Sequence, residues 1–191
     1  MSTREKILDA AAEILHNRGV MHATTKEIAQ ASGVSEPTLY KYFGDKERLL
    51  LAVLDERLPG MSRVTVRPGE GDVEDNLAAL AHAASDFYQR AIPMLGALFA
   101  DPRRMAAHRE AMGRHGAGPE QAVAGFAGYL RAEQDLGRIA RDADPGASAS
   151  LLVGACFQEA FLRYYAHGVD APAAPRAFAE GLARAVVQPL L

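Results

Sequence analysis

The sequence holds a single cysteine, Cys156, in 191 residues. One thiol cannot close an internal disulfide, and zinc sites built on thiolates need more than one, so disulfide-scaffold and zinc-finger readings are excluded. Long apolar runs are missing too. The longest stretch without a charge, Pro145 to Gln158, is 14 residues between Asp144 and Glu159, short of the ~20 that a membrane-spanning helix needs. No secretory h-region is present, because Asp9 and Glu13 interrupt the apolar positions near the N-terminus, and the expected compartment is the cytoplasm. Basic residues are not in excess: 24 acids against 21 bases give a net charge of -3, which argues against a chain-wide polybasic coat. Catalytic signatures are absent as well. There is no G-x-S-x-G, phosphate loop, dinucleotide fingerprint or H-E-x-x-H, and Asp135, Asp142 and Asp144 have no helix-face partner for paired-carboxylate chemistry. The histidines are scattered, and His108 and His115 lack the i, i+4 spacing that holds zinc on a helix. No enzyme activity, metal or cofactor is expected.

What is present is unevenly placed. All four lysines (Lys6, Lys26, Lys41, Lys46) fall in the first 46 residues, whereas 31 of the 37 alanines lie beyond residue 50. The chain changes character near residue 60. Residues 59 to 75 carry two prolines and three glycines without helical period, which reads as a connector. Val64 to Arg67 alternates like a scrap of strand, but nothing offers it a partner, so it is read as loop.

Almost everything else has helical period, and the expected fold is all-α. Ile7, Leu8, Ala11, Ile14 and Leu15 share one face of a first helix, roughly 3 to 18, with Ser2 and Glu5 as a capping box and Gly19 as its C-cap. Thr24 followed by Glu27 opens a second helix that halts at Ser32-Gly33-Val34. Ser35 then caps a third, with Pro37 in its first turn, and Asp45 caps a fourth that runs through Leu49, Leu50, Leu51, Val53, Leu54 and Leu58 up to Pro59. Two short helices joined by a glycine-containing turn form the helix-turn-helix pattern. Ala29 stands four residues before Gly33, where the helices cross closely, and Gly33 can take the left-handed conformation the turn needs. The offsets put Ile28, Val34, Leu39 and Tyr42 on the packing side. They leave Glu36, Pro37, Thr38, Tyr40 and Lys41 outward, a polar, aromatic and basic face.

Thr25 to Ala29 followed by the run Gly33-Val34-Ser35-Glu36-Pro37-Thr38-Leu39-Tyr40-Lys41-Tyr42-Phe43-Gly44-Asp45-Lys46-Glu47-Arg48-Leu49-Leu50 resembles the DNA-binding region of the TetR-type transcriptional regulators. The resemblance covers roughly residues 4 to 54. It implies a DNA-binding domain over residues 1–48, with the fourth helix from 45 bridging onward, and a helical ligand-binding and dimerisation domain over 49–191. The second helix of such a pair enters the major groove with its N-terminal residues toward base edges. Ser35, Glu36, Pro37, Thr38 and Lys41 are then the candidates for reading sequence: Lys41 can donate to guanine O6 and N7, and Thr38 can bond or present its methyl to thymine. For Glu36 the blander role, an acid complementing the dipole of the first turn, weighs more. By resemblance Tyr40 reaches a phosphate while Tyr42 is at least partly packing. Thr25 and Lys46, at helix N-termini, are placed for phosphate, with Lys26 either a further contact or a solvated lysine.

Residues 76 to 191 read as about five more helices. A stripe from Leu77 to Ala91 is broken before Pro93. Shorter ones follow around Met94 to Phe99, Met105 to Met112 and Val123 to Leu130, and the last two span 151 to 165 and 178 to 187 with a loop at Asp142 to Gly146. The final pair carries Phe157, Phe161, Leu162, Tyr164 and Tyr165, and by resemblance it forms a two-fold dimer interface with its copy. Phe87, Met94, Leu98, Phe99 and Met105, together with Met112, Phe126, Tyr129, Phe157 and Phe161, are expected around a pocket for a largely apolar effector. Each of these side chains taken singly reads more readily as ordinary core. The resemblance therefore implies a homodimeric repressor, released from a palindromic double-stranded DNA operator by a small molecule. An all-α enzyme with a vestigial helix-turn-helix, and a helical module that binds protein, remain open alternatives.

Overall fold

The computed structural model describes residues 1–18, 23–57, 64–114 and 118–188. The described residues form nine α-helices and no strand. By their contacts they divide into two compact units, one made of Met1–Gly60 and Arg90–Gly116 and the other of Met61–Gln89 and Ala117–Leu191.

The first unit begins with α1 (Thr3–Arg18), α2 (Thr25–Ala31), α3 (Glu36–Phe43) and α4 (Lys46–Glu56). Each start is fixed by the expected side chain. The Ser2 amide donates to Glu5 Oε2 at 2.6 Å while Glu5 N donates back to Ser2 Oγ. Thr24 and Glu27 form the same reciprocal box, and Ser35 and Asp45 accept from Thr38 N and Arg48 N. These contacts satisfy amides that a helix cannot satisfy itself, at roughly 1 kcal/mol per cap. Ile7, Leu8, Ile28, Leu39 and Leu49 are fully buried in one apolar core with Phe43 and Val53, and burying each such side chain contributes about 1.5–3 kcal/mol. Leu49 and Val53 belong to this core, so the N-terminal core extends past the boundary expected at 48/49. Two ion pairs fasten α1 to the end of α4: Arg4 donates twice to Glu56, both at 2.6 Å, and Arg57 donates to Asp9 at 2.6 Å. The Arg4 guanidinium also lies over the Phe43 ring, 5.3 Å from its centroid. The expected cap Gly19 and the end of helix four at Leu58 and Pro59 lie outside the described residues. The unit is completed by the last part of α5 (Val73–Phe99) and by α6 (Pro102–Arg114), against which α4 packs.

The break expected before Pro93 does not occur, since α5 runs through it to Phe99. An interior proline forfeits one helical hydrogen bond and crowds the preceding turn, costing ~3 kcal/mol or more. Here buried Ala91, Ile92 and Leu98 on either side keep the helix on its core.

The second unit holds the first part of α5 together with α7 (Glu120–Asp135), α8 (Pro145–His167) and α9 (Arg176–Val187). Leu77, Ala81, Leu130, Leu152, Cys156 and Ala183 meet in its core. Helix α8 starts earlier than the expected 151. Asp144 accepts from Gly146 N at 2.9 Å and Ala147 N at 3.0 Å, and Pro145 takes the first helical position, so Pro145 and Gly146, expected in the loop, are helical. Proline there is a start signal, because its missing N–H is one the helix could not have used. Helix α9 likewise begins at Arg176 instead of 178.

The connector is not a bare linker. Val64 and Val66 pack against the second unit's core, and a buried polar cluster pins the residues that follow. Glu133, fully buried on α7, pairs with Arg138 at 3.2 Å and accepts from Gly69 N at 3.3 Å. Arg138 donates to the Gly71 carbonyl. Asn76 donates to the Glu70 carbonyl at 2.8 Å and to the Tyr129 hydroxyl at 3.0 Å. Burial, and next the neighbouring Glu133 carboxylate, push the Tyr129 hydroxyl's pKa well up.

Candidate nucleic-acid interface

Helices α2 and α3 meet through a turn that only a few residue types can make. Gly33 has φ of +72°, a conformation costly for residues with a Cβ. Around it Ser32 N donates to Ile28 O and Val34 N to Ala29 O, both at 2.9 Å. Ala29 is 3% exposed, which fits the close crossing expected of it. The second turn glycine, Gly44, has φ of +80° and donates to Tyr40 O at 2.7 Å, ending α3 so that α4 can start at once.

The packing side of α3 is Leu39 with Phe43, both buried. Tyr42, expected there, is 47% exposed. The correction follows from helix geometry: Phe43 lies four residues from Leu39 and so shares its face. The outward side holds Ser35, Pro37, Tyr40, Lys41 and Tyr42, all exposed, with Glu36 and Thr38 half-buried. Lys26 is exposed on α2.

Residues that look independent in sequence are joined here. Thr25 is buried, and its hydroxyl donates to Glu36 Oε1 at 2.5 Å and lies 3.1 Å from Tyr40 Oη. This network ties the first turn of α2 to the exposed side of α3 and orients the Tyr40 ring. Lys46 reaches back to the same turn, its Nζ donating to Ala23 O at 2.5 Å. Ser35 Oγ and Thr38 Oγ1 are 2.7 Å apart, each engaging the other. The long exposed side chains of α3 are thus Tyr40, Lys41 and Tyr42, of which the Thr25 network holds Tyr40. Sequence reasoning missed the Thr25–Glu36 bond, whose partners are eleven residues apart on two helices. It had only the first-turn position of Glu36 to go on.

The residues expected around a pocket divide between the two units. Leu98 is buried in the first unit, Phe99 is 67% exposed, and Met105 and Met112 are half-buried. The Met94 side chain lies outside the described residues. In the second unit Phe126 and Tyr129 belong to the core. Phe87 stacks edge-on against Tyr88, and Tyr88 in turn against Phe157, each pair 5.4 Å between centroids, while Phe161 lies 6.3 Å from Tyr165. Among the described residues no helix is long and apolar enough to cross a membrane.

The family model for bacterial regulatory proteins of the tetR family matches residues 7–53, the stretch that builds α1 to α4. The chain is 36% identical over 75 residues to the HTH-type transcriptional regulator YvkB of Bacillus subtilis, spanning 39% of each chain. It is 42% identical over 55 residues to the class D tetracycline repressor protein of Escherichia coli, 29% of this chain and 25% of that one. The chain thus spans about two-fifths or less of the length of these curated relatives. The fold likeness runs further. Thermus thermophilus FadR, a TetR-family transcriptional repressor in complex with lauroyl-CoA, superposes with a TM-score of 0.59 at 26% identity, covering 98% of this chain and 95% of that one. Residues 7–53, which build α1 to α4, thus match the DNA-binding region of the tetR family of bacterial regulatory proteins, and the helical fold of a TetR-family repressor is shared over nearly the whole length of the chain.

Proposed function

We propose that the protein is a homodimeric transcriptional repressor that lays α3 in the major groove of a near-palindromic operator and is released by a small molecule. The observation that carries this reading is the exposed Tyr40-Lys41-Tyr42 surface on a capped, rigid second helix of a helix-turn-helix. Lys41 is the main candidate for a base contact, with Ser35, Pro37 and Thr38 at the base-facing end of α3. Tyr40, Tyr42, Lys26 and Lys46 are assigned to phosphate, and Thr25 and Glu36 chiefly to holding Tyr40 in place. A regulator with so few cations per subunit draws modest affinity from phosphates alone, so two subunits and base contacts together supply tight binding.

Dimerisation is assigned to α8 and α9. Leu151, Phe161, Leu162 and Tyr165 lie 47–82% exposed along one side of α8, at offsets of a single helical face. Gly154 on that face has open space where a Cβ would stand, as has Gly181 on α9, which permits close approach of a second copy. An apolar helix face left to water favours a partner. Occupancy of an effector site releases DNA only through a difference in affinity between the two states of the dimer. The repressor sign and the effector site follow the FadR–lauroyl-CoA relative and remain part of the proposal.

The test is a mobility-shift titration with the DNA flanking the protein's own gene, using wild type and the double substitution Tyr40→Ala, Lys41→Ala. The proposal expects the variant to lose specific binding while light scattering still reports a dimer. Unchanged binding by the variant refutes it.

A further inference from the structure

The second unit carries a groove of about 470 Å³ unlike the pocket expected from the sequence, sharing only Tyr129 with it. One wall is the connector, through Val66 and Pro68. Helix α7 contributes Gln121, Ala122, Gly125, Gly128 and Tyr129 to the lining, and α5 contributes Leu80. The size lies within the range of small-molecule sites.

Two observations bear on what fills it. The first concerns the glycines. Gly125 and Gly128 sit inside α7, where glycine is disfavoured relative to alanine. No packing requires them, because a Cβ built at either meets nothing within 4 Å and neither has a positive φ. Both line the groove, so the missing side chains keep it clear. The second concerns charge. No lining residue is ionisable at neutral pH; the Gln121 amide is the polar side chain left to meet an occupant, because the Tyr129 hydroxyl is taken up by Asn76 at 3.0 Å and by Glu133. A carboxylate or phosphate bound here would lose water without gaining a cation.

We propose that this groove binds a small, neutral, largely apolar molecule carrying one hydrogen-bonding group, of the class of a medium-chain alcohol, with Gln121 meeting its polar end. Binding stands apart from the DNA reading; only the effect of occupancy on DNA affinity rests on it. The occupant touches Val66 and Pro68 directly, and these residues continue through Gly69 and Gly71 into the cluster pinned by Glu133 and Arg138, so occupancy tightens the connector.

The test is calorimetric titration of the full chain with 1-octanol and, separately, with octanoate. We expect one saturable site per chain for the alcohol and at least tenfold weaker binding of the acid. Gly125→Leu and Gly128→Leu should each weaken the alcohol tenfold or more. Their melting temperatures should hold or rise, because leucine favours a helix. Wild-type affinity in both leucine variants, equal binding of octanoate, or no saturable binding of either probe overturns the proposal. So does a changed sedimentation coefficient in the variants, which would mean that a second copy covers the groove. A wild-type chain that binds octanol but shifts no DNA leaves this site standing and removes the regulator reading; the converse removes only the site.

Discussion

The two units distribute polarity in opposite ways. Among the described residues the N-terminal helices bury one polar side chain, Thr25, beside an apolar core, and they show tyrosines and a lysine outward from α3. The second unit buries Ser85 and the charged Glu133 and leaves Leu151, Phe161, Leu162 and Tyr165 of α8 exposed. A polar, basic exterior on a small rigid core suits a surface that meets a polyanion. An apolar exterior suits a surface that meets another protein, and a buried ion pair suits a segment that must hold one arrangement.

Their ionisable groups differ in the same sense. In the first unit hydrogen bonds favour the charged form: Arg4 holds the Glu56 carboxyl below its ordinary range, and the Ser2 amide and hydroxyl do so for Glu5. In the second unit burial favours the neutral form, raising the Tyr88 and Tyr129 hydroxyls and pushing the Cys156 thiol up to about 11.

The contrast is broken most sharply by removing one acid from each unit. Glu133→Ala leaves Arg138 and the Gly69 amide facing a void, and should cost about 3–5 kcal/mol in urea denaturation. Glu56→Ala, in a pair 42% and 33% exposed, should cost less than about 1 kcal/mol. Equal losses would refute the distinction. Next comes the apolar face: Leu162→Glu should raise the dimer dissociation constant at least a hundredfold in analytical ultracentrifugation, leaving helicity unchanged in circular dichroism.

Much of this was legible in the sequence, and the limits are physical. Ser2, Thr24, Ser35 and Asp45 announced helix starts because capping is a local interaction among residues three apart, and Gly33 announced the turn because φ above zero is nearly a glycine property. Tyr42 was misread because three and four residues from Leu39 are nearly equivalent on a short helix, and the neighbours that choose between them, Arg4 among them, come from elsewhere in the chain. Pro93 and Pro145 were both read as breaks. A proline's effect depends on whether it falls in a first turn or on a well-packed interior stretch, which its neighbours in sequence do not specify. The Thr25–Glu36–Tyr40 network and the Glu133 cluster join residues up to 67 apart, and no periodicity encodes them.

The middle-sized effects concern pH and phosphate. Folding raises the Cys156 pKa above its ordinary value of 9.0, so this contribution is present below that pH and is lost as pH rises toward about 11. The loss should reach roughly 2–3 kcal/mol. Cys156→Ala should flatten this alkaline limb in denaturation curves from pH 8 to 11; an unaltered slope would place the cause elsewhere. Lys46→Ala should weaken DNA binding alike for specific and random sequences and lower the salt slope by about 1. Because Lys46 also holds the Ala23 carbonyl, a small loss of melting temperature should accompany it. The smallest effect lies on the acid side. The Glu56 pKa is lowered on folding, so the pair's contribution is present above the ordinary carboxyl pKa of ~4.3 and is lost as pH falls through the lower folded value. Glu56→Gln should remove that shallow slope.

A nuclease footprint on the DNA flanking the protein's own gene shows whether the exposed side of α3 reads DNA for a two-fold dimer. The expected result is protection of a near-palindrome whose half-sites lie about one helical turn apart, ~34–36 Å centre to centre, abolished by the Tyr40→Ala, Lys41→Ala variant in its dimeric form. Protection that persists in that variant, or that covers a single asymmetric site, would contradict it.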